Sequence, residues 1–134
     1  MTQGLVALVK SKTAITDLIG SNPTRFYPRM LPQGLSTFPA GTFRMVDNID
    51  TSDSNGASTY DFAMIDIHSY GRTYGDAEGL YEAMRTALVD ENGVYAGIDL
   101  DYVWYSPSGD EDYLDDLQLY TKRLELKIAY RRTP

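Results

Sequence analysis

Asp66 and His68 lie two residues apart in the run Ala63-Met64-Ile65-Asp66-Ile67-His68-Ser69. On a strand, that spacing turns both side chains to one face. A carboxylate beside an imidazole can move a proton in acid–base chemistry, or begin a metal site. The chain holds no second histidine and no cysteine to extend either arrangement. A Ser-His-Asp triad would have to use the same imidazole, and no G-x-S-x-G elbow occurs. The competing reading is structural, with His68 hydrogen-bonded near a sheet edge.

Two acidic stretches suggest cations. Asp47–Gly56 contains Asp50, Asp53 and Asn55, but an EF-hand register built on Gly56 puts Thr51 at the first ligand position. The same register puts Phe62 at the last, where glutamate belongs. A polar hairpin tip explains the stretch better. Asp110, Glu111, Asp112, Asp115 and Asp116 form the second cluster. Such runs are usually solvated, mobile loops, which is the reading favoured for the isolated chain, with ordering against a partner as the alternative. Gly71–Gly79 has the glycines of a phosphate loop without its G-K-[ST] ending, and Asp76 and Glu78 would repel phosphate.

The elements around these residues follow from periodicity. Leu5, Leu8, Ile15, Leu18 and Ile19 predict an N-terminal helix over 3–19, weakened at Lys10–Thr13 and ended by Gly20 and Pro23. Arg25–Tyr27 reads as a short extended piece, Leu31–Pro39 as a loop and Gly41–Ile49 as a strand. The strand at 59–70 puts Ala63, Ile65 and Ile67 on one face. Its other face begins with Tyr60, Phe62 and Met64 and turns polar at Asp66 and His68, as in a central strand. Ala77, Leu80, Tyr81, Met84, Ala87 and Leu88 predict an amphipathic helix over 76–90, with Thr73 or Asp76 as its cap. Glu91–Gly97 and Pro107–Asp116 read as loops, and Ile98–Ser106 as a strand. In the last strand Tyr120, Leu124, Leu126, Ile128 and Tyr130 alternate with Thr121, Arg123, Glu125, Lys127 and Arg131. The expected fold is α+β: a mainly antiparallel sheet of four to five strands, one helix across a face, and an N-terminal helix.

The totals narrow the classes further. A chain of 134 residues is expected to form one domain spanning 1–134. It is long enough to bury roughly two-thirds of its unfolded surface without disulfides. The apolar run Leu5–Val9 is followed at once by Lys10, so neither a cleaved signal peptide nor a membrane span is expected. Residues 47–116 hold 17 of the 19 acids and only Arg72 and Arg85 among the bases. That segment therefore carries −15 and the remainder +8, within a net −7. Either the fold keeps an acidic end and a basic end, which would steer copies together head to tail, or it interleaves them. The acidic balance lacks the basic footprint of a nucleic-acid binder. There are 11 tyrosines against four phenylalanines, and Tyr102, Trp104 and Tyr105 are candidate contact positions.

Taken in order, the segments run from a helix ending Leu18-Ile19-Gly20 through Arg25-Phe26-Tyr27-Pro28, Leu31-Pro32-Gln33-Gly34 and Phe38-Pro39. They continue with the strand Ala63–Ser69, a glycine-containing turn into helix Ala77–Leu88, a late acidic loop and an alternating final strand. This order resembles the small tail-completion, or tail-terminator, proteins of long-tailed, lambda-like bacteriophages. The resemblance implies a ring, commonly of six subunits, at the head-proximal end of the tail tube. Such a ring ends tube growth and joins the tail to the head connector or stopper protein. It would work as a structural part of the virion neck, assembled in the host cytoplasm, without catalysis, cofactor or metal. Its implied partners are copies of itself, the tail tube protein, the connector and the genomic DNA passing through its lumen without specific binding. The candidate interface or lumen residues are Asp50, Asp53, Asp110, Glu111, Asp112, Asp115, Asp116, Arg123, Arg131 and Arg132. An acidic lumen would repel DNA phosphates. The alternatives are a head-completion, stopper or tube subunit of the same virion, and a small enzyme or ligand-binding domain using Asp66 and His68.

Overall fold

The N-terminal helical pattern divides where Lys10–Thr13 interrupts it. In the computed structural model, which describes residues 2–21, 23–50, 61–106 and 111–132, α1 spans Thr2–Lys10 and α2 spans Thr13–Ile19. At the break the Ser11 hydroxyl donates to the Leu8 carbonyl at 2.6 Å, satisfying one of the acceptors a helix end leaves open. Gly20 ends α2 at φ 86, and a Cβ there would stand 2.8 Å from the Pro23 carbonyl oxygen. Only glycine fits that turn.

Seven strands and a third helix follow: β1 Phe26–Pro28, β2 Ala40–Asp50, β3 Asp61–Gly71, α3 Tyr74–Leu88, β4 Gly93–Tyr95, β5 Ile98–Ser106, β6 Glu111–Leu114 and β7 Leu119–Arg132. They make one sheet in the order β1-β2-β3-β7-β5-β4, with β6 also paired to β7. The pair β1–β2 is parallel and every other pair antiparallel. The fold is thus α+β with N-terminal helices, and the sheet is larger than the four to five strands expected.

The two extra strands have identifiable causes. Within the stretch read as loop 91–97, Ala96 and Gly97 both take positive φ, 52° and 78°, and join Tyr95 to Ile98. That is the backbone of a tight two-residue hairpin, so β4 folds back on β5. Within the acidic stretch, Glu111 lies opposite Lys122, whose Nζ comes within 3.3 Å of its carboxylate. The cation offsets enough negative charge for β6 to pair. β5 faces residues 125–132 of β7 and β6 faces 119–122, so the two lie end to end along one edge of β7.

All the core lies on one side of the sheet. Ala63, Ile65 and Ile67 of β3 and Leu124, Leu126 and Ile128 of β7 are fully buried in one cluster with Leu80, Met84 and Leu88 of α3 and with Leu5, Leu8, Ile15 and Ile19. α3 starts where β3 stops: a Cβ on Gly71 would fall 2.6 Å from the Ala77 nitrogen. The Thr73 hydroxyl accepts from the Asp76 N–H at 3.1 Å and caps the helix. Gly4 of α1 packs on Ile98, beside the far edge strand. Among the described residues no helix is long and apolar enough to cross a membrane.

Candidate assembly surfaces

The open face of the sheet carries β3 residues of even number, as the alternation predicts. Its central strip is ionic. Asp66 is 5% exposed and lies across from Arg44 on β2 and Glu125 on β7. The Arg123 guanidinium approaches Asp66 at 3.5 Å and Glu125 at 3.9 Å. His68 stands opposite Arg123 and Thr42, its ring 6.2 Å from that of Tyr70. Arg44, Asp66, His68, Tyr70 and Arg123, with Asp112, Leu114 and Thr121, border a shallow cavity of about 430 Å³. The Asp66–His68 spacing is therefore realised, but the carboxylate is engaged by arginine. Among the described residues no group of three or more His, Cys, Asp or Glu is placed to hold a metal ion.

Further along the same face the strip becomes aromatic. Tyr102 and Trp104 of β5 lie 4.6 Å apart, and Phe62 of β3 is 6.4 Å from Trp104. Lys127 Nζ sits 4.8 Å from the Phe62 ring and 6.0 Å from Trp104, within reach of both π faces. Trp104 remains 42% exposed. Tyr105 belongs to the opposite face, where the Arg85 guanidinium covers it at 5.6 Å. Sequence reading grouped the three aromatics, and the strand separates them.

The acidic candidates gather on the β6–β7 hairpin. Glu111 accepts from the Tyr74 hydroxyl at 2.9 Å and faces Lys122. The Tyr74 hydrogen bond first, and Lys122 second, hold its carboxyl below the ordinary glutamate value. The same contact raises the Tyr74 phenol. Asp112, Asp115 and Asp116 are exposed, next to the exposed Tyr113 and Leu117. Asp53 and Asp110 lie outside the described residues, as do the side chains of Asp50 and Arg132. Arg123 is held in the ionic strip and not displayed as a loose contact, while Arg131 is exposed across from Asp99. From the register of Asp112 at Thr121 to Arg131 is about 33 Å of extended strand. One contact patch cannot hold both groups.

A surface that sequence reading missed lies on the helix side, between α1 and the β1–β2 edge. It is a groove of about 760 Å³, floored by Val6, Phe26, Phe43 and Met45 and rimmed by Lys10, Arg29 and Arg44. The signal was present in the +8 carried outside residues 47–116. Other N-terminal bases are consumed internally: Lys12 pairs with Glu91 at 2.6 Å, and Arg25 donates to the Leu18 and Pro39 carbonyls. Among the described residues, Lys10, Arg29 and Arg44 make no ion pair.

With this geometry in place, solved structures offer a match. A chain in "Virion of native gene transfer agent (GTA) particle" aligns with 96% of this chain and 92% of its own length, at TM-score 0.75 and 15% identity. The two chains share a fold. No protein-family model and no curated protein sequence matches.

Proposed function

We propose that this chain is a structural protein of a phage-like virion. In the finer form of this reading it makes a ring, with six the expected count, at the head-proximal end of the tail tube, where it ends tube polymerisation and joins the tail to the head connector. The observation that carries the proposal is a fold shared over nearly the full length with a chain of a gene transfer agent virion. The surfaces are compatible with assembly: an open sheet face with exposed aromatics, an acidic hairpin, and a basic groove placed elsewhere. The chain works by contact and not by catalysis, and Asp66 and His68 serve the sheet. A ring of subunits each carrying −7 would let DNA pass without sticking.

Deleting the gene and imaging the particles tests the proposal. Overlong or unjoined tails are expected. Heads that leak DNA would reassign the chain to a stopper, and absence of tubes would reassign it to the tube itself. Normal particles would end the virion reading.

A further inference from the structure

We infer that copies of this chain bind head to tail, the acidic β6–β7 hairpin of one seating in the basic groove between α1 and the β1–β2 edge of the next. The inference deepens the ring reading above and rests on it for its biological setting. Charge complementarity argues for the occupant. The hairpin presents Asp112, Asp115 and Asp116 without an ion pair among the described residues, and the groove rim presents Lys10, Arg29 and Arg44 in the same condition. The other charged groups of both regions are already spent, Glu111 on Lys122 and Lys12 on Glu91.

Apolar chemistry agrees with the charges. Tyr113 and Leu117 stay 42% and 54% exposed on the hairpin, although residues of that size normally find cover. The groove floor offers Val6, Phe43 and Met45 to receive them. Backbone adds a third element. β1 covers the edge of β2 only from Gly41 to Phe43, so at Arg44 and Met45 that edge has no strand beside it among the described residues. An open edge invites another chain.

No hairpin residue lines the groove of its own molecule, although Arg44 borders the open-face cavity with Asp112 and Arg29 borders a second cavity with Leu117. The hairpin is attached to β7, with β3 between it and β2, and the groove lies past β2 on the helix side. The hairpin and the groove floor of Val6, Phe43 and Met45 are different patches of one subunit, so their contact is heterologous and closes into a ring when its rotation divides a full turn. The three aspartates then meet bases of a neighbour and do not line the lumen.

Charge reversal tests the contact in the intact chain. Reversing the rim (Lys10→Glu, Arg29→Glu, Arg44→Glu) or the hairpin (Asp112→Lys, Asp115→Lys, Asp116→Lys) is expected to weaken self-association by more than about tenfold, read by analytical ultracentrifugation. Mixing the two reversed variants should restore rings of alternating copies, because the unaltered hairpin meets the unaltered groove and the reversed hairpin meets the reversed groove at every other contact. Combining both reversals in one chain should restore rings. Because the chain has no cysteine, Val6→Cys and Leu117→Cys can be placed in separate copies, and a cross-linked dimer is expected even where a triple variant folds poorly. Rings that persist in either reversed variant, with no cross-link, would overturn this contact and leave the ring reading standing. A wild-type chain that stays monomeric on tube ends would overturn both.

Discussion

Glu111 shows how one residue can decide whether an acidic segment becomes a strand. Its carboxylate takes a hydrogen bond from Tyr74 on α3 and a charge from Lys122 on β7, so it ties the hairpin to both layers. In the folded chain its carboxyl is held below the ordinary 4.5, so the unfolded chain binds that proton more tightly. The stabilisation is complete above pH 4.5 and fades as pH falls below it. Amide exchange protection across Glu111–Leu114 should therefore hold steady from neutral pH down to that value, after correction for intrinsic rates, and decline beneath it. A Glu111→Gln chain should show no such decline. Asp66 is a different case on the same sheet. Burial has removed most of its water, and Arg123 supplies the compensation, so its value to the fold depends on the guanidinium staying where it is.

At the scale of elements, α3 carries the core. Met84 is fully buried between β3, β7 and the N-terminal helices, and Met84→Ala would leave a cavity that the sheet cannot close. The expected cost is about 2–5 kcal/mol, seen as a lower denaturant midpoint with the same slope. The long elements were legible because their burial repeats with their own period: Leu80, Met84 and Leu88 along the helix, Leu124, Leu126 and Ile128 along the final strand. The short ones were not. β4 has three residues and turns on Ala96-Gly97, which lacks the Asn-Gly or Asp-Gly pair that marks such a turn in sequence. β6 is written in charged letters, and its pairing is decided by Lys122, which sequence alternation left off the polar face list and which in fact lies 4.2 Å over the Tyr81 ring on the helix side. The groove escaped notice for a related reason: α1 and β2 are separated in sequence, and only tertiary contact brings Val6 near Phe43.

For the whole molecule, the sequence's division into acidic and basic segments survives in part. The sheet interleaves it, since β7 places Lys122, Arg123 and Arg131 beside Glu111, Asp66 and Asp99. The imbalance persists at the hairpin and at the groove, the two surfaces proposed to meet. Association between them should weaken as salt rises from about 0.05 to 0.5 M, where the screening length falls below roughly 5 Å. Sedimentation across that range checks it. A contact made by apolar side chains alone would hold or tighten.

The position of β7 also bears on how the protein is made. It is seventh among the strands in chain order, yet it lies in the middle of the sheet, with β3 along one side and β5 and β6 along the other. A ribosome must have passed Arg132 before the earlier strands can find their shared neighbour. Nascent fragments stopped before Leu119 would lack both the hairpin and the seam that joins the two halves of the sheet. Translation that aborts early thus yields chains that cannot close the sheet.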